Sequence, residues 1–459
     1  MTIINISSEE INNIFKSNID KLKFTGCSLD SRTIKKGNIF FAYKGKKNDG
    51  NQHITEAKKR GAVLAIVERK NLKAKIPQIK VRNTHLALIQ LAKYVRLKSN
   101  TQIVAITGSV GKTSTKDALA HILKKEKKVF SARKSFNNIF GVPLEILNMP
   151  KNTKIGIFEL GMNHKNELTK LVEILKPKIG IILNINYVHS GNFNDLTDIA
   201  HAKAEMINNK FPVDTIILNK DSNHFKVLSE KAKKFKINNI ITYSKNKNAN
   251  LMYCNHTTTN SSLFVEVALD KEKKIKYKIN SMNDFLISNT MGIIAILVAL
   301  GLNLNLIKNL KNLELTEGRG NIIKLKKMNK IIELHNHSYN SSPTSLFSGL
   351  NVFLKTSNKK NLIIIGDMHE LGKKSEHYHL KVLKFLLKNK ENNYLMVGKF
   401  FYKYKNRFNS DKIKFLLNVE QLNDIVFNYV TDYNRIFIKG SNSINLQKTV
   451  DLISNKLVA

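Results

Sequence analysis

Ile103-Val104-Ala105-Ile106-Thr107-Gly108-Ser109-Val110-Gly111-Lys112-Thr113-Ser114 is the stretch from which the fold can be read. Ile103–Thr107 is an apolar, β-branched run, the pattern of a strand buried on both faces. Two glycines follow, then Lys112-Thr113, then a helical pattern expected over Ser114–Lys125. Strand, glycine turn and helix in that order gather backbone N–H groups and the positive end of a helix around one point, which suits a phosphate. The string is a shortened G-x-x-G-K-T, because Ile106 stands where the longer phosphate-loop pattern has its first glycine. Gly108, Ser109, Val110 and Gly111 would cradle the phosphates, with Ser114 in the first helical turn. Lys112 can reach the β- and γ-phosphates, and the Thr113 hydroxyl can ligate Mg²⁺.

Outward from this loop the chain alternates. Strand Ile155–Leu160, helix Asn166–Leu175 and strand Ile179–Asn184 follow in the central segment. Before it, Asn38–Tyr43 and Val63–Val67 read as strands and Ile54–Gly61 as a helix. After it, strands are expected at Lys330–Leu334, Asn361–Ile365, Tyr394–Val397 and Arg435–Ile438, with helices at Ser345–Leu354, His377–Leu387 and the end of the chain. Buried strands alternating with helices imply parallel, helix-covered sheets. The expectation is therefore an α/β protein of three domains: a small mixed α/β domain (1–98), a central P-loop-type parallel-sheet domain (99–315) and a C-terminal Rossmann-like α/β domain (316–459). The 459 residues accommodate this number.

Composition narrows the function classes. Apolar residues make up 42% and charged residues 24%, an ordinary globular balance. The net charge of +41 would suggest nucleic acid or an anionic membrane. The lysines are spread along the whole chain, however, and travel with excess asparagine and isoleucine. That is the mark of an A/T-biased genome, and no nucleic-acid partner is expected. Cys27 and Cys254 cannot make a disulfide framework, which suits a reducing compartment. The start, Met1 to Glu10, lacks a basic region and an apolar run, so it does not read as a signal peptide. Met291–Leu302 falls short of the ~20 residues of a membrane helix and reads as a buried helix. A soluble, cytoplasmic protein without membrane insertion is expected.

A nucleotide site with Mg²⁺ needs a carboxylate on a neighbouring strand. Glu159, ending an apolar strand one βα unit after the loop, is the leading candidate. His189 follows the next strand; a histidine is a borderline ligand for Mg²⁺, which prefers oxygen. Lys203 lies in Ala200-His201-Ala202-Lys203-Ala204-Glu205, where a solvated helix lysine is the default reading.

At this point the chain resembles the Mur ligases, the ATP-dependent amide-forming enzymes of peptidoglycan synthesis, and within them the MurF type. The resemblance runs over essentially the whole sequence. Asp30-Ser31-Arg32, Gly45 to Gly50 and Gly61-Ala62 are similar to the family's N-terminal strings, and Phe136-Asn137-Asn138 to Leu144 to its N-N-x-x-G-x-P-L segment. Glu159-Leu160-Gly161-Met162-Asn163-His164 is similar to E-x-G-x-x-H, and His189 with Ala202-Lys203-Ala204-Glu205 to its H…A-K-x-E pattern. Ser338-Tyr339-Asn340 with Pro343, and Gly366-Asp367-Met368 with Glu370-Leu371-Gly372 and His379, are similar to strings of the MurF group.

The resemblance implies a ligase that joins D-alanyl-D-alanine to UDP-N-acetylmuramoyl-tripeptide through an acyl phosphate, as a monomer. It implies ATP contacts from Asn289 and Arg319 as well as the loop. Catalytic roles fall to Lys112, Glu159, His189 and Lys203. Two Mg²⁺ ions would be held by Thr113, Glu159, His189 and a carbamylated Lys203. Ser31, Arg32, Asp49, Gly50, Asn137 and Asn138 would bind the UDP-substrate, and Asn336, His337, Tyr339 and Asn340 the amine. A related folylpolyglutamate-type ligase, or a nucleotide-binding scaffold of weakened activity, shares the same ATP core.

The chain departs from the family at several of these strings. An acidic pair before Ser-Tyr-Asn reads Asn336-His337, a histidine before Asn289 is Phe285, and K-G-S-R-G reads Lys439-Gly440-Ser441-Asn442-Ser443. Because strand carboxyl ends face the ligand crevice of an α/β domain, Asn336 and His337 are expected to face the central domain. His337, titrating near its ordinary ~6.5, would then repel an ammonium group below neutral pH.

Overall fold

A computed structural model describes the chain except residues 1–3, 5, 46–47, 127, 187–191, 194, 260–261, 282–283, 314–316, 328–329, 356–359, 390, 409 and 458–459. Among the described residues the strands form three sheets. The first contains β1 (Gly26–Ser28), β2 (Asn38–Phe41), β3 (Ala62–Val67) and β4 (Gln78–Lys80), all parallel and in chain order.

The second is built on β5 (Gln102–Thr107), β6 (Val129–Ser131), β7 (Ile155–Glu159), β8 (Ile179–Ile182), β9 (Thr215–Asn219), β10 (Asn239–Ser244), β11 (Leu251–Thr258), β12 (Leu263–Leu269) and β13 (Lys273–Ile279). Their order is β13-β12-β11-β10-β9-β8-β5-β7-β6. Ile103 to Ile106 are fully buried in β5, each contributing ~1.5–3 kcal/mol for a large apolar side chain. The sheet is parallel from β6 to β11, as expected of the central domain, and continues through the antiparallel pairs β11–β12 and β12–β13. The alternating burial of Lys273-Lys274-Ile275-Lys276-Tyr277 explains both the pairing and why a lysine-rich run passes for loop. The helix Phe285–Ala299, apolar on all sides, packs against β8 to β11.

The third sheet has the order β14-β15-β19-β16-β17-β18. These are β14 (Asn321–Lys327), β15 (Lys330–His337), β16 (Leu362–Gly366), β17 (Asn393–Val397), β18 (Ile413–Leu416) and β19 (Arg435–Lys439). Only β14–β15 is antiparallel. That hairpin also carries β15 past the expected end at Leu334, since Asn321 pairs with Asn336 and Asn336 with Ile438. Cys27 is buried and Cys254 exposed, both as free thiols.

The order of the central sheet positions the site. β5 lies between β7 and β8, so the chain leaves its carboxyl end one way and returns on the other side. A crevice at such a switch point is where open α/β sheets bind ligands.

Candidate active site

Gly108 and Gly111 take φ of +152° and +91° and turn the chain from β5 into the helix Lys112–Leu123. Gly111 also admits a close neighbour, since a Cβ there would lie 2.8 Å from the Asn289 amide. No side chain caps the start of this helix, so its first N–H groups are left for an anion. Lys112 Nζ donates to the Gly108 carbonyl at 2.8 Å, folded across the loop. The loop is tied to the end of the β8 segment: Ser109 N donates to the Asn184 carbonyl (2.9 Å) and Val110 N to Asn184 Oδ1 (3.0 Å).

Glu159, at the end of β7, is buried, and both its oxygens are held. Thr113 Oγ1 donates to Oε2 at 2.6 Å and Asn137 Nδ2 to Oε1 at 2.7 Å. Lys203 ends the helix Leu196–Lys203 and is only 2% exposed. Burial and the Lys112 charge push its amine well below the ordinary lysine range. Burial lowers Lys112 as well, while Glu159 opposes that shift. The structure thus brings Lys112, Thr113 and Glu159 together, with Lys203 within reach of the Lys112 charge. His189 lies outside the described residues.

Beside the loop is a cleft lined by Ser114, Asn289, Arg319 and apolar side chains such as Leu286, Ile293 and Leu310. Asn289 Nδ2 and Arg319 Nε are buried with no hydrogen-bond partner among the described residues. Buried donors rarely stay unpaired. An apolar slot with two free donors beside a phosphate loop fits the base and sugar of a nucleotide, so the residues present suit ATP.

The remaining predicted residues are dispersed. Ser31 donates to Glu56 (2.8 Å), Arg32 is paired with Asp30 (2.7 Å), and Asp49 with Arg69 (2.8 Å) beside Gly50. Asn138, expected on the UDP-substrate, accepts from the N–H groups of Phe140 and Gly141, and Asn137 serves Glu159.

The expected amine group does not converge. Successive residues of a strand point to opposite faces, and Asn336 and His337 both lie in β15. Asn336 is fully buried and bonded to Gln447 (3.2 Å) and to Ser338 N (3.1 Å). His337 lies on the other face against Phe437, ring centroids 4.9 Å apart, with Gly320 and Gly349 alongside. Burial and the Lys439 charge hold it well below the ordinary histidine range. A titrating His337 facing the central domain is therefore corrected to a neutral ring packed within the C-terminal sheet. Of these four, Tyr339 reaches the central domain: its ring packs against Lys134 Nζ (3.8 Å) and the Arg319 guanidinium (4.1 Å), and its hydroxyl is 3.1 Å from Ser135 Oγ. Asn340 is exposed and its carbonyl accepts from Lys439 Nζ at 2.8 Å.

With this geometry, the comparisons assign the family. Residues 106–297 match the Mur ligase middle domain and residues 23–96 the Mur ligase family catalytic domain. A UDP-N-acetylmuramoyl-tripeptide–D-alanyl-D-alanine ligase of Rickettsia prowazekii is 34% identical over 92% of this chain and 94% of its own. The chain belongs to the Mur ligase family, MurF type. The MurF structure of Acinetobacter baumannii superposes with a TM-score of 0.86 at 24% identity, covering 99% of this chain and all of that one. The MurF ligase of Thermotoga maritima in complex with ADP gives 0.77 at 23% identity, over 94% of this chain and 97% of that one. At these identities the two structures speak for the three-domain Mur fold.

Two roles in this Mur ligase go unassigned in the sequence, although the residues themselves stand in its quoted strings. Asp367, after β16, is buried, with its carboxylate accepting from the N–H groups of Phe400 (2.9 Å) and Phe401 (3.0 Å). His379 accepts from Met368 N at 3.0 Å and gives its other ring proton to the Ser375 carbonyl at 2.6 Å, a neutral ring that burial preserves. Together they fix the turn after β16. The second feature is the Asn137–Glu159 bond, whose only sequence signal is the Asn137-Asn138 pair.

Proposed function

We propose that this protein is the ATP-dependent ligase that joins D-alanyl-D-alanine to UDP-N-acetylmuramoyl-tripeptide in peptidoglycan precursor synthesis. The observation that carries the reading is the Lys112–Thr113–Glu159 cluster beside the cleft lined by Asn289 and Arg319, in a chain related over nearly its full length to an enzyme of that name.

The tripeptide carboxylate attacks the γ-phosphorus of ATP, the bond to ADP breaks, and an acyl phosphate forms. The dipeptide amine then attacks the acyl carbon, loses a proton, and phosphate leaves through a tetrahedral intermediate. Both steps crowd anions together, so the protein's task is alignment and charge neutralisation. Lys112 swings from the Gly108 carbonyl to the transferring phosphate. Asn289 and Arg319 hold the nucleotide. Thr113 and Glu159 would hold one Mg²⁺, and Glu159, His189 and Lys203 would surround a second; the ions would neutralise phosphate charge. Lys203, kept toward its neutral form, is suited to add CO₂ and release a proton, giving a carbamate. That change turns a neutral amine near Lys112 into an anionic oxygen ligand.

Residues 1–98, with Ser31, Arg32, Asp49 and Gly50, take the UDP-substrate, 99–315 the ATP, and 316–459 the amine, with Tyr339 and Asn340 at the junction. The enzyme acts on these small molecules as a cytoplasmic monomer. A substrate panel read by phosphate release tests the reading. Release should need ATP, UDP-N-acetylmuramoyl-tripeptide and D-alanyl-D-alanine together; release with a folate and glutamate instead would replace it.

A further inference from the structure

Segment 133–140 joins β6 to the helix Gly141–Asn148 and passes the site on its way. At its middle, Asn137 holds Glu159 Oε1 through its side chain (2.7 Å), and its carbonyl accepts from Gly161 N (2.9 Å). At its end it is gripped from the N-terminal domain. His85, on the helix Thr84–Leu97, donates its Nε2 proton to the Ile139 carbonyl at 3.1 Å. The same ring stacks on Phe140, centroids 4.1 Å apart and planes 25° from parallel. Tyr43, just after β2, closes on Phe140 from another side at 4.9 Å.

Between grip and carboxylate the chain has little slack. Asn138 Oδ1 accepts from the N–H groups of Phe140 (3.1 Å) and Gly141 (2.9 Å), locking the residues from 138 to 141 as one turn. The turn is also tightly packed, since a Cβ on Gly141 would lie 2.5 Å from Phe136 Cα. A displacement of the Ile139 carbonyl or the Phe140 ring is therefore passed to Asn137, and from there to one oxygen of Glu159.

We infer that His85 is a positioning residue for Glu159, acting across the domain boundary through the turn at 138–141 and Asn137. The N-terminal domain thereby sets the orientation of the carboxylate that shares Thr113 with the phosphate loop. The inference rests on the proposed nucleotide and Mg²⁺ site for its binding measurements and on the proposed ligation for its rates.

A double-mutant cycle on the full chain tests it, combining His85→Ala with Asn137→Ala. If His85 acts through Asn137, the effects overlap rather than add. Calorimetric binding of Mg²⁺·ADP should weaken ~5-fold or more in either single variant, the scale of one lost hydrogen bond, and the double should lose no more than a further ~2-fold beyond the weaker-binding single. In the ligase assay, His85→Ala should lower kcat ~10-fold and leave the KM for the UDP-substrate within ~2-fold. His85→Gln keeps a donor and should recover most of kcat. His85→Phe keeps a stacking ring without the donor and should behave like the alanine variant. These two substitutions also decide the matter if the alanine variant does not fold. Additive losses in the cycle, or a loss confined to the KM of the UDP-substrate, would overturn the inference. A wild-type enzyme that binds Mg²⁺·ADP yet ligates nothing would count against the proposed function, while the binding cycle still decides the role of His85.

Discussion

Lys112 feels the Glu159 carboxylate and Lys203 the Lys112 charge, and each lysine is expected to fail differently when removed. Lys112→Ala removes the cation from the transferring phosphate. Turnover should fall by a factor of ~10³, several kcal/mol of barrier, with UDP-substrate binding retained. Near-normal steady-state turnover in this variant would mean that Lys112 is not the phosphate clamp. Lys203→Ala should also be inactive, but short carboxylates added to the assay should restore part of the rate by replacing the missing oxygens. An active enzyme whose intact mass shows Lys203 unmodified would dispose of the carbamate.

His337 gives a prediction of the opposite kind. Its folded-state pKa lies well below the ordinary 6.5, so the unfolded chain takes up a proton first as pH falls. Stability should therefore drop below about pH 6.5, by at most ~1.4 kcal/mol per pH unit from this group. His337→Phe should flatten that acid limb in denaturant titrations at pH 5 and 7. An unchanged limb would show that the ring is not held neutral. At this scale the closeness of Thr113 and Glu159 was legible, because a phosphate loop calls for a carboxylate on the neighbouring strand. Asn336 and His337 were misread because a partner strand, invisible as such in sequence, extends β15 beyond Leu334.

Among the elements, the turn Gly108–Gly111 does most to shape the site. Gly111→Ala meets both obstacles described above, a left-handed backbone and an approach of 2.8 Å to Asn289. It should cost more than ~1 kcal/mol of stability and weaken ADP binding, since Asn289 must move out of the cleft. Calorimetry on a variant that binds ADP as tightly as wild type would show that Asn289 does not need that contact. Periodicity located β5, β7, β8 and β16, strands buried on both faces, because continuous apolar runs such as Ile103–Ile106 have few other readings, but it passed over β9, which is buried at every residue. It missed β11 to β14, which are half-exposed; in β13 and β14 lysines on the open face mask the alternation with charge, while β11 sets Asn255, Thr257 and Thr258 among its exposed positions.

Across the whole molecule, each outer domain reaches segment 133–140 beside the central site. Tyr339 reaches Lys134 and Ser135 from the C-terminal sheet, and His85 reaches Ile139 and Phe140 from the N-terminal helix. That convergence was not legible in sequence, because the contacting residues lie far apart along the chain and none belongs to a phosphate motif. The three-domain order was legible, since the strand–helix rhythm restarts twice. What the assembled molecule is proposed to do is form an amide through an acyl phosphate, and oxygen tracing tests this most directly. UDP-N-acetylmuramoyl-tripeptide carrying ¹⁸O in its reacting carboxylate would be incubated with the enzyme, ATP and D-alanyl-D-alanine, and the released phosphate weighed by mass spectrometry. The account predicts one ¹⁸O in each phosphate, carried over from the carboxylate; unlabelled phosphate would contradict it.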